Sequence, residues 1–222
     1  MIVKRRQSWS EVSGSFSYSA EDDHNQQYKK TILSLDEYYR QVKQVIISNQ
    51  SMFGLFPAHH IKGKSNVSMI RDSIFCASCI WALRQCYQHI DNDKGRSYEL
   101  GQTVVKSMRA ILFCWMQQSS MIEQFKTNQC PEFALHSIFT LDGKEVITHE
   151  KYGHLQIGTV SLYLIFLAQM IESGLQIIYS VDEVAFIQQL IFYIERAYRT
   201  PDFGFWGRGS KYNDHTPELH AR

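Results

Sequence analysis

Proline and glycine are scarce in this chain, at 4 and 12 among 222 residues. So few breakers argue against a turn-rich sandwich and for long helices. Excess charge of either sign is also missing: 23 Lys and Arg stand against 22 Asp and Glu, a net of +1. A chain so balanced lacks the basic footprint that DNA, RNA or an anionic membrane surface requires, so nucleic acid is not an expected partner. No apolar region follows the opening Met1-Ile-Val-Lys-Arg-Arg6, so no secretory signal is read. Leu155 to Ile171, the longest apolar run, carries Gln156, Ser161 and Gln169 and is short for a bilayer span. The cysteines Cys76, Cys79, Cys86, Cys114 and Cys130 are odd in number, which fits a reducing compartment. A soluble, cytoplasmic protein is the expectation.

What is present is core-forming material. Hydrophobic residues make up 44% and aromatics 13% of the chain, enough for large buried faces or a stacking surface. Cys76 and Cys79 form a CxxC, but no second CxxC or His pair accompanies them and their neighbours are apolar. They read as small buried thiols in a helix, with no metal and no cofactor expected.

Residues 1–30 are rich in Ser, Asp, Gln and Lys and read as a flexible N-terminal regulatory arm, leaving 31–222 as the folded part. Ser34-Leu-Asp-Glu37 has the form of a capping box, opening a helix striped by Leu35, Tyr38, Tyr39, Val42, Val45 and Ile46. Gly54-Leu-Phe-Pro57 breaks the chain. A second helix over about 69–89 is apolar nearly all round, and a third, capped by Ser97, runs to about Gln118. Residues 133–147 change to period two around Asp142-Gly143, which predicts a small β-hairpin with a type I′ turn. A fourth helix, about 155–173, is again apolar all round and stops at Gly174. Ser180-Val-Asp-Glu183 is a second capping box, opening a fifth helix that ends before Pro201.

Amphipathic and all-round apolar helices thus alternate. Two concentric layers of helices, an α/α toroid, would need that order, and an irregular helical bundle would also satisfy it.

Several stretches resemble the regulatory subunits of phosphorylase b kinase. They are Leu35-Asp-Glu-Tyr-Tyr-Arg-Gln-Val42, Gly54-Leu-Phe-Pro57, Arg71-Asp-Ser73 and Ile90-Asp-Asn-Asp-Lys-Gly-Arg96. Tyr152-Gly-His-Leu-Gln156, Val160-Ser-Leu-Tyr-Leu164, Ser173-Gly-Leu-Gln-Ile-Ile-Tyr179, Pro201-Asp-Phe-Gly204 and Arg208-Gly-Ser-Lys-Tyr-Asn213 continue the match. Arg196-Ala-Tyr-Arg199 and Ser210-Lys-Tyr-Asn213 favour the beta type over the alpha type. The N-terminal region of that family is similar to glucoamylases. The resemblance therefore implies an all-α chain forming part of an (α/α)6 toroid of the six-hairpin glycosidase kind, incomplete at about its first half, with one small β-hairpin near 134–147.

It also implies a sugar cleft. Arg71 and Asp72 match an Arg-Asp pair that holds hydroxyls of the terminal glucose in glucoamylases. Tyr152, His154 and Gln156 match a segment that lines the same pocket, and Trp206 and Arg208 fall where the third inner helix begins. On the residues alone, an ordinary ion pair at a helix start is the favoured reading of Arg71 with Asp72, and core packing that of Trp206. The glucoamylase pattern has Trp-Glu at positions 206–207, and that Glu is the general acid; here residue 207 is Gly. Glycoside cleavage needs two carboxylates. Asp202 and Glu218 do not obviously replace the missing one, so no hydrolysis of glucan is expected.

Arg5-Arg-Gln-Ser8 is a basophilic-kinase pattern, and phosphate on Ser8 would bring about −1.5 to −2 charges to a basic segment. The chain carries no kinase machinery of its own: Asp202-Phe-Gly204 lacks an upstream catalytic loop. The resemblance implies a non-catalytic regulatory role in glycogen breakdown beside alpha, gamma (catalytic) and delta (calmodulin) subunits. A carbohydrate-binding or glucan-hydrolysing protein of glucoamylase type is the alternative. Calmodulin binding and membrane attachment by C-terminal prenylation belong to the longer subunits of that family, whereas this sequence ends in Ala221-Arg222 without a CaaX cysteine.

Overall fold

A computed structural model describes residues 10–58, 66–146 and 155–202, with side chains from residue 25 onward. Among these residues the chain forms α1 (Ser10–Val45), β1 (Val67–Met69), α2 (Ile70–Cys86), α3 (Lys94–Met116), α4 (Ser119–Thr127), β2 (Ile138–Thr140), α5 (Gly158–Glu172) and α6 (Val181–Ala197). It is an all-α architecture with one small sheet.

The first helix is longer than the sequence suggested. Its packed half is held by Leu35, which is buried, and by Tyr39 and Val42 against the core. Once that half is fixed, adding turns N-terminally costs little, because helix nucleation rather than propagation is the expensive step. No Pro interrupts 10–33. Residues 10–30, read as part of a flexible arm, are therefore helical backbone. Ser34 lies inside α1 instead of capping it: its hydroxyl donates to the Lys30 carbonyl at 3.0 Å, one turn back.

The α2–α3 hairpin forms the centre. A short π-helical turn, Tyr87–Asp91, ends on Asn92 in the left-handed conformation at φ 53°. Asp93 then caps α3, accepting from the Arg96 amide at 2.9 Å. The cap is thus Asp93 and not Ser97, which is buried in the first turn. Asp and Ser are nearly equal as caps, so the left-handed Asn92 decides which one acts. Gly54, at φ +124°, lets the preceding loop press on α3; a Cβ there would stand 2.6 Å from the Lys106 carbonyl oxygen.

Helix α4 was not expected. Its nine residues bury only Ile122 and Phe125, too brief a stripe to read from periodicity. Phe125 packs on Tyr193 of α6 with ring centroids 4.9 Å apart.

The period-two segment also pairs differently. β2 runs antiparallel to β1, with Ser68 opposite Phe139, and returns on itself only through a single bridge from Phe139 to Glu145. A type I′ turn needs two residues at positive φ, and only Gly143, at +84°, has it. The Gly143 amide donates to Thr140 O at 2.9 Å and the Thr140 amide to Lys144 O at 2.8 Å, a type I turn closed by a glycine bulge.

Gly174 stops α5 as expected. At φ +90° it lets the Leu175 amide reach Met170 O at 3.1 Å while its own reaches Ile171 O at 2.9 Å. The Ser180–Glu183 capping box on α6 is formed in both directions.

The core is rich in rings whose polar ends are satisfied. Trp115 and Tyr163 meet edge to face at 5.2 Å. Trp115 donates to His136 O at 2.9 Å and Tyr163 to Met108 O at 3.1 Å. Cover does not follow the expected layers. Helix α3, read as wet on one face, buries Leu100, Val104, Met108, Ile111, Cys114 and Trp115. Helices α2 and α5, apolar all round, leave Phe75 41% and Ile165 57% exposed. Periodicity reports what a helix could bury; neighbours decide what it does bury, and no described element covers these two faces.

Candidate functional site

One residue brings the starts of α2 and α5 together. The Ser137 carbonyl, just before β2, accepts from the amide of Ile70, the first residue of α2, at 2.9 Å. Its hydroxyl accepts from the Gln156 amide at 3.2 Å and donates to the Gln156 carbonyl at 3.4 Å. Both helices therefore begin at one end of the bundle, where their first amides lack intrahelical partners and favour negative charge.

Arg71 and Asp72 follow at once on α2. Their side chains form an ion pair, Arg71 Nε to Asp72 Oδ1 at 3.8 Å, with Arg71 the more buried. Beneath them Ser73 is fully buried, accepting from the Phe56 amide at 3.1 Å and sharing a hydrogen bond with Ser68 at 2.9 Å. These contacts fix the first turn of α2 against β1 and the Gly54–Pro57 break.

Gln156 precedes α5 and is buried at 6% exposure; among the described residues its side-chain oxygen has no hydrogen-bond partner. The next amide, Ile157 N, donates to the Asp202 carboxylate at 2.8 Å. Asp202 is 1% exposed and comes from beyond α6, so it caps α5 from across the fold. Sequence reasoning missed both Ser137 and Asp202, since neither sits at capping distance along the chain from the helix it serves.

Three expected cleft residues, Arg71, Asp72 and Gln156, thus share one end of the molecule. Tyr152, His154, Trp206 and Arg208 lie outside the described residues, as do Gly207 and the phosphorylation candidate Ser8.

The remaining chemistry-bearing groups are quiet. Burial pushes the Cys76 thiol up to about 11, with the Asp72 and Cys79 charges adding to it, and burial also raises Cys79. Neither is a thiolate near neutral pH, so the CxxC is not an activated nucleophile. Cys79 is exposed and Cys76 half-buried, which corrects the reading of both as buried. Among the described residues no group of three or more His, Cys, Asp or Glu could hold a metal ion. No described helix is long and apolar enough to cross a membrane.

Comparison with known proteins gives this geometry a lineage. The family model for glycosyl hydrolases family 15, a six-hairpin glycosidase fold, matches residues 33–218. The chain is 56% identical over 196 residues to the probable phosphorylase b kinase regulatory subunit beta of Drosophila melanogaster, covering 87% of this chain and 18% of that protein. It is 45% identical over 192 residues to the corresponding subunit alpha of the same fly, covering 84% and 15%. To the liver isoform of the alpha subunit of Oryctolagus cuniculus it is 44% identical, with the same coverage. The chain spans less than a fifth of the length of these curated relatives. Carrying that family's match over most of its length, the chain belongs to glycosyl hydrolases family 15.

Proposed function

We propose that this chain is a non-catalytic, glucoamylase-like segment of a phosphorylase kinase regulatory subunit of beta type, acting in the control of glycogen breakdown. The 56% identity to a regulatory subunit beta over 87% of the chain carries the reading. Gly207 supports it, because a glycine cannot protonate a leaving oxygen where glucoamylases place their acid. The nearest upstream carboxylate, Asp202, is buried and engaged with the Ile157 amide. On this reading the alpha, catalytic gamma and calmodulin delta subunits are the partners, the setting is cytoplasmic, and Ser8 is a phosphorylation site. Equal labelling of wild type and Ser8→Ala by a basophilic kinase would remove the last point. Co-purification of a kinase catalytic subunit with this chain, set beside a chain-free control, tests the central one.

A second reading, carbohydrate binding or glucan hydrolysis, is favoured by Arg71 beside Asp72 and by the buried Gln156 amide at the same end of the bundle. Calorimetric titration with maltooligosaccharides separates binding from none. Release of glucose at a rate abolished by Asp72→Asn would overturn the non-catalytic assignment.

A further inference from the structure

The outer face of α6 carries a surface that neither reading uses. Val181, Val184, Gln188, Ile191, Glu195 and Tyr198 are all exposed and follow one another at steps of three and four residues. That is the a and d spacing of a coiled-coil seam. Val181 is 84% exposed, Val184 57% and Ile191 54%, and Phe192 at 41% borders the same stripe. Apolar side chains exposed singly need no explanation, but a contiguous row marks an interaction site. Helix α3 shows the contrast: its outward side carries Gln102, Lys106 and Gln117 around Phe113.

The face is held firmly from behind. On its other side α6 buries Phe186, Leu190, Tyr193 and Ala197, and Tyr193 packs on Phe125 of α4. At the far end of the seam the Arg199 guanidinium lies 5.0 Å from the Tyr198 ring and donates Nε to its hydroxyl at 2.6 Å, which fixes that ring.

Charge decides what fits. Asp182 borders the seam at the start of α6, and Arg196 and Arg199 border it at the end, all three exposed. Neither arginine has a carboxylate partner among the described residues. A second α6 laid parallel would set Asp182 against Asp182 and arginines against arginines. Laid antiparallel, each Asp182 meets the basic end of the other helix.

We propose that α6 pairs antiparallel with the α6 of a second copy of this chain about a two-fold axis. Such a contact is isologous, so it closes at two copies instead of propagating. Gln188 and Ile191, in the middle of the seam, fall beside the axis, and Gln188 sets the register as a lone polar a residue does. Two 17-residue helices packed along their length bury an area near the lower bound of about 1,000 Å² for a specific interface. The dimer is therefore weak, with a Kd on the order of 10 µM.

Analytical ultracentrifugation of the intact 222-residue chain tests this, with Phe75→Gln and Ile165→Gln present to silence the open faces of α2 and α5. Sedimentation should report a monomer–dimer equilibrium that stops at two copies. Adding Val184→Glu and Ile191→Glu should weaken it at least about tenfold while the melt of the dilute chain holds, because both residues are exposed. Arg196→Glu with Arg199→Glu should weaken it about three- to tenfold, and a further Asp182→Arg should restore it, as only antiparallel pairing predicts. Cys79 is exposed, so cross-linking starts from Cys79→Ser; Gln188→Cys should then be joined to its own copy by a short bis-maleimide. A chain that stays monomeric to about 1 mM would leave the seam to a helix of another protein and overturn the proposal. Dimerisation unchanged by the paired glutamates with the melt intact, or no rescue by the charge swap, would overturn it equally.

Discussion

Arg109 of α3 and Glu183 of α6 face each other across two contacts, Nη2 to Oε1 at 2.8 Å and Nη1 to Oε2 at 3.3 Å. Glu183 is at the same time the third residue of the capping box, accepting from the amides of Tyr179 at 2.7 Å and Ser180 at 3.3 Å. One carboxylate thus closes the start of α6 and ties that helix to the centre of the molecule.

That double duty makes stability pH-dependent. Burial alone would raise the Glu183 carboxyl, but hydrogen bonds from Arg109 and from the Tyr179 and Ser180 amides hold it below its ordinary 4.5. A folded value below the unfolded one contributes stability that is complete above the ordinary value and lost as pH falls through the folded one. Thermal melts recorded from neutral pH down through the carboxylate range should show this decline. Glu183→Gln should flatten that part of the curve and lower stability at neutral pH by roughly 2–4 kcal/mol, since it leaves Arg109 without its charge partner. A variant melting with the wild-type pH profile would show that the pair is idle.

Ser137→Ala should cost about 1–3 kcal/mol, because the Gln156 amide loses its acceptor inside the protein. Asp202→Ala should cost about 1–2 kcal/mol by leaving the start of α5 uncapped. Amide hydrogen exchange at Ile157 gives a local readout. It should accelerate in Asp202→Ala, while exchange along α3 stays slow.

Gly54→Ala should be among the most damaging single changes. The site needs positive φ, and the added methyl meets the Lys106 carbonyl oxygen at 2.6 Å, so backbone must shift. A loss of about 2–4 kcal/mol in urea unfolding is expected, whereas Gly158→Ala, with open space around its Cβ, should be near neutral or slightly stabilising.

The open faces of α2 and α5 predict self-association of the isolated chain. Phe75, Ile165 and Ile171 are all more than 40% exposed on helices otherwise bound to the core. Light scattering should report concentration-dependent growth, and Phe75→Gln with Ile165→Gln should reduce it without lowering the melting temperature. A monodisperse monomer at high concentration would count against it.

How much was legible in the sequence depended on how local the physics was. The Ser180–Glu183 box and the Gly174 stop were readable because the partners lie within a few residues of each other. The cap of α3 was placed four residues late, because Asp93 and Ser97 offer similar chemistry and only the left-handed Asn92 separates them. Arg71, Asp72 and Gln156 were found through resemblance. What holds them, Ser137 and Asp202, was not found, because a serine reaching 19 residues onward and an aspartate reaching 45 back leave no periodic trace. Helix α4 escaped because two buried side chains make no stripe.

Ser137 also has a mechanical meaning. With its carbonyl on the first amide of α2 and its hydroxyl on Gln156, it works as a common hinge pin for two helix starts. Three residues on, Thr140 begins the turn through Gly143, whose φ of +84° no other residue would adopt cheaply. Through β2 that surface turn is joined to the pin, so the Arg71–Asp72 pair and Gln156 share one support. Three side chains that the sequence placed apart thus rest on a single serine, and that serine is continuous with the turn at the tip of a two-stranded sheet.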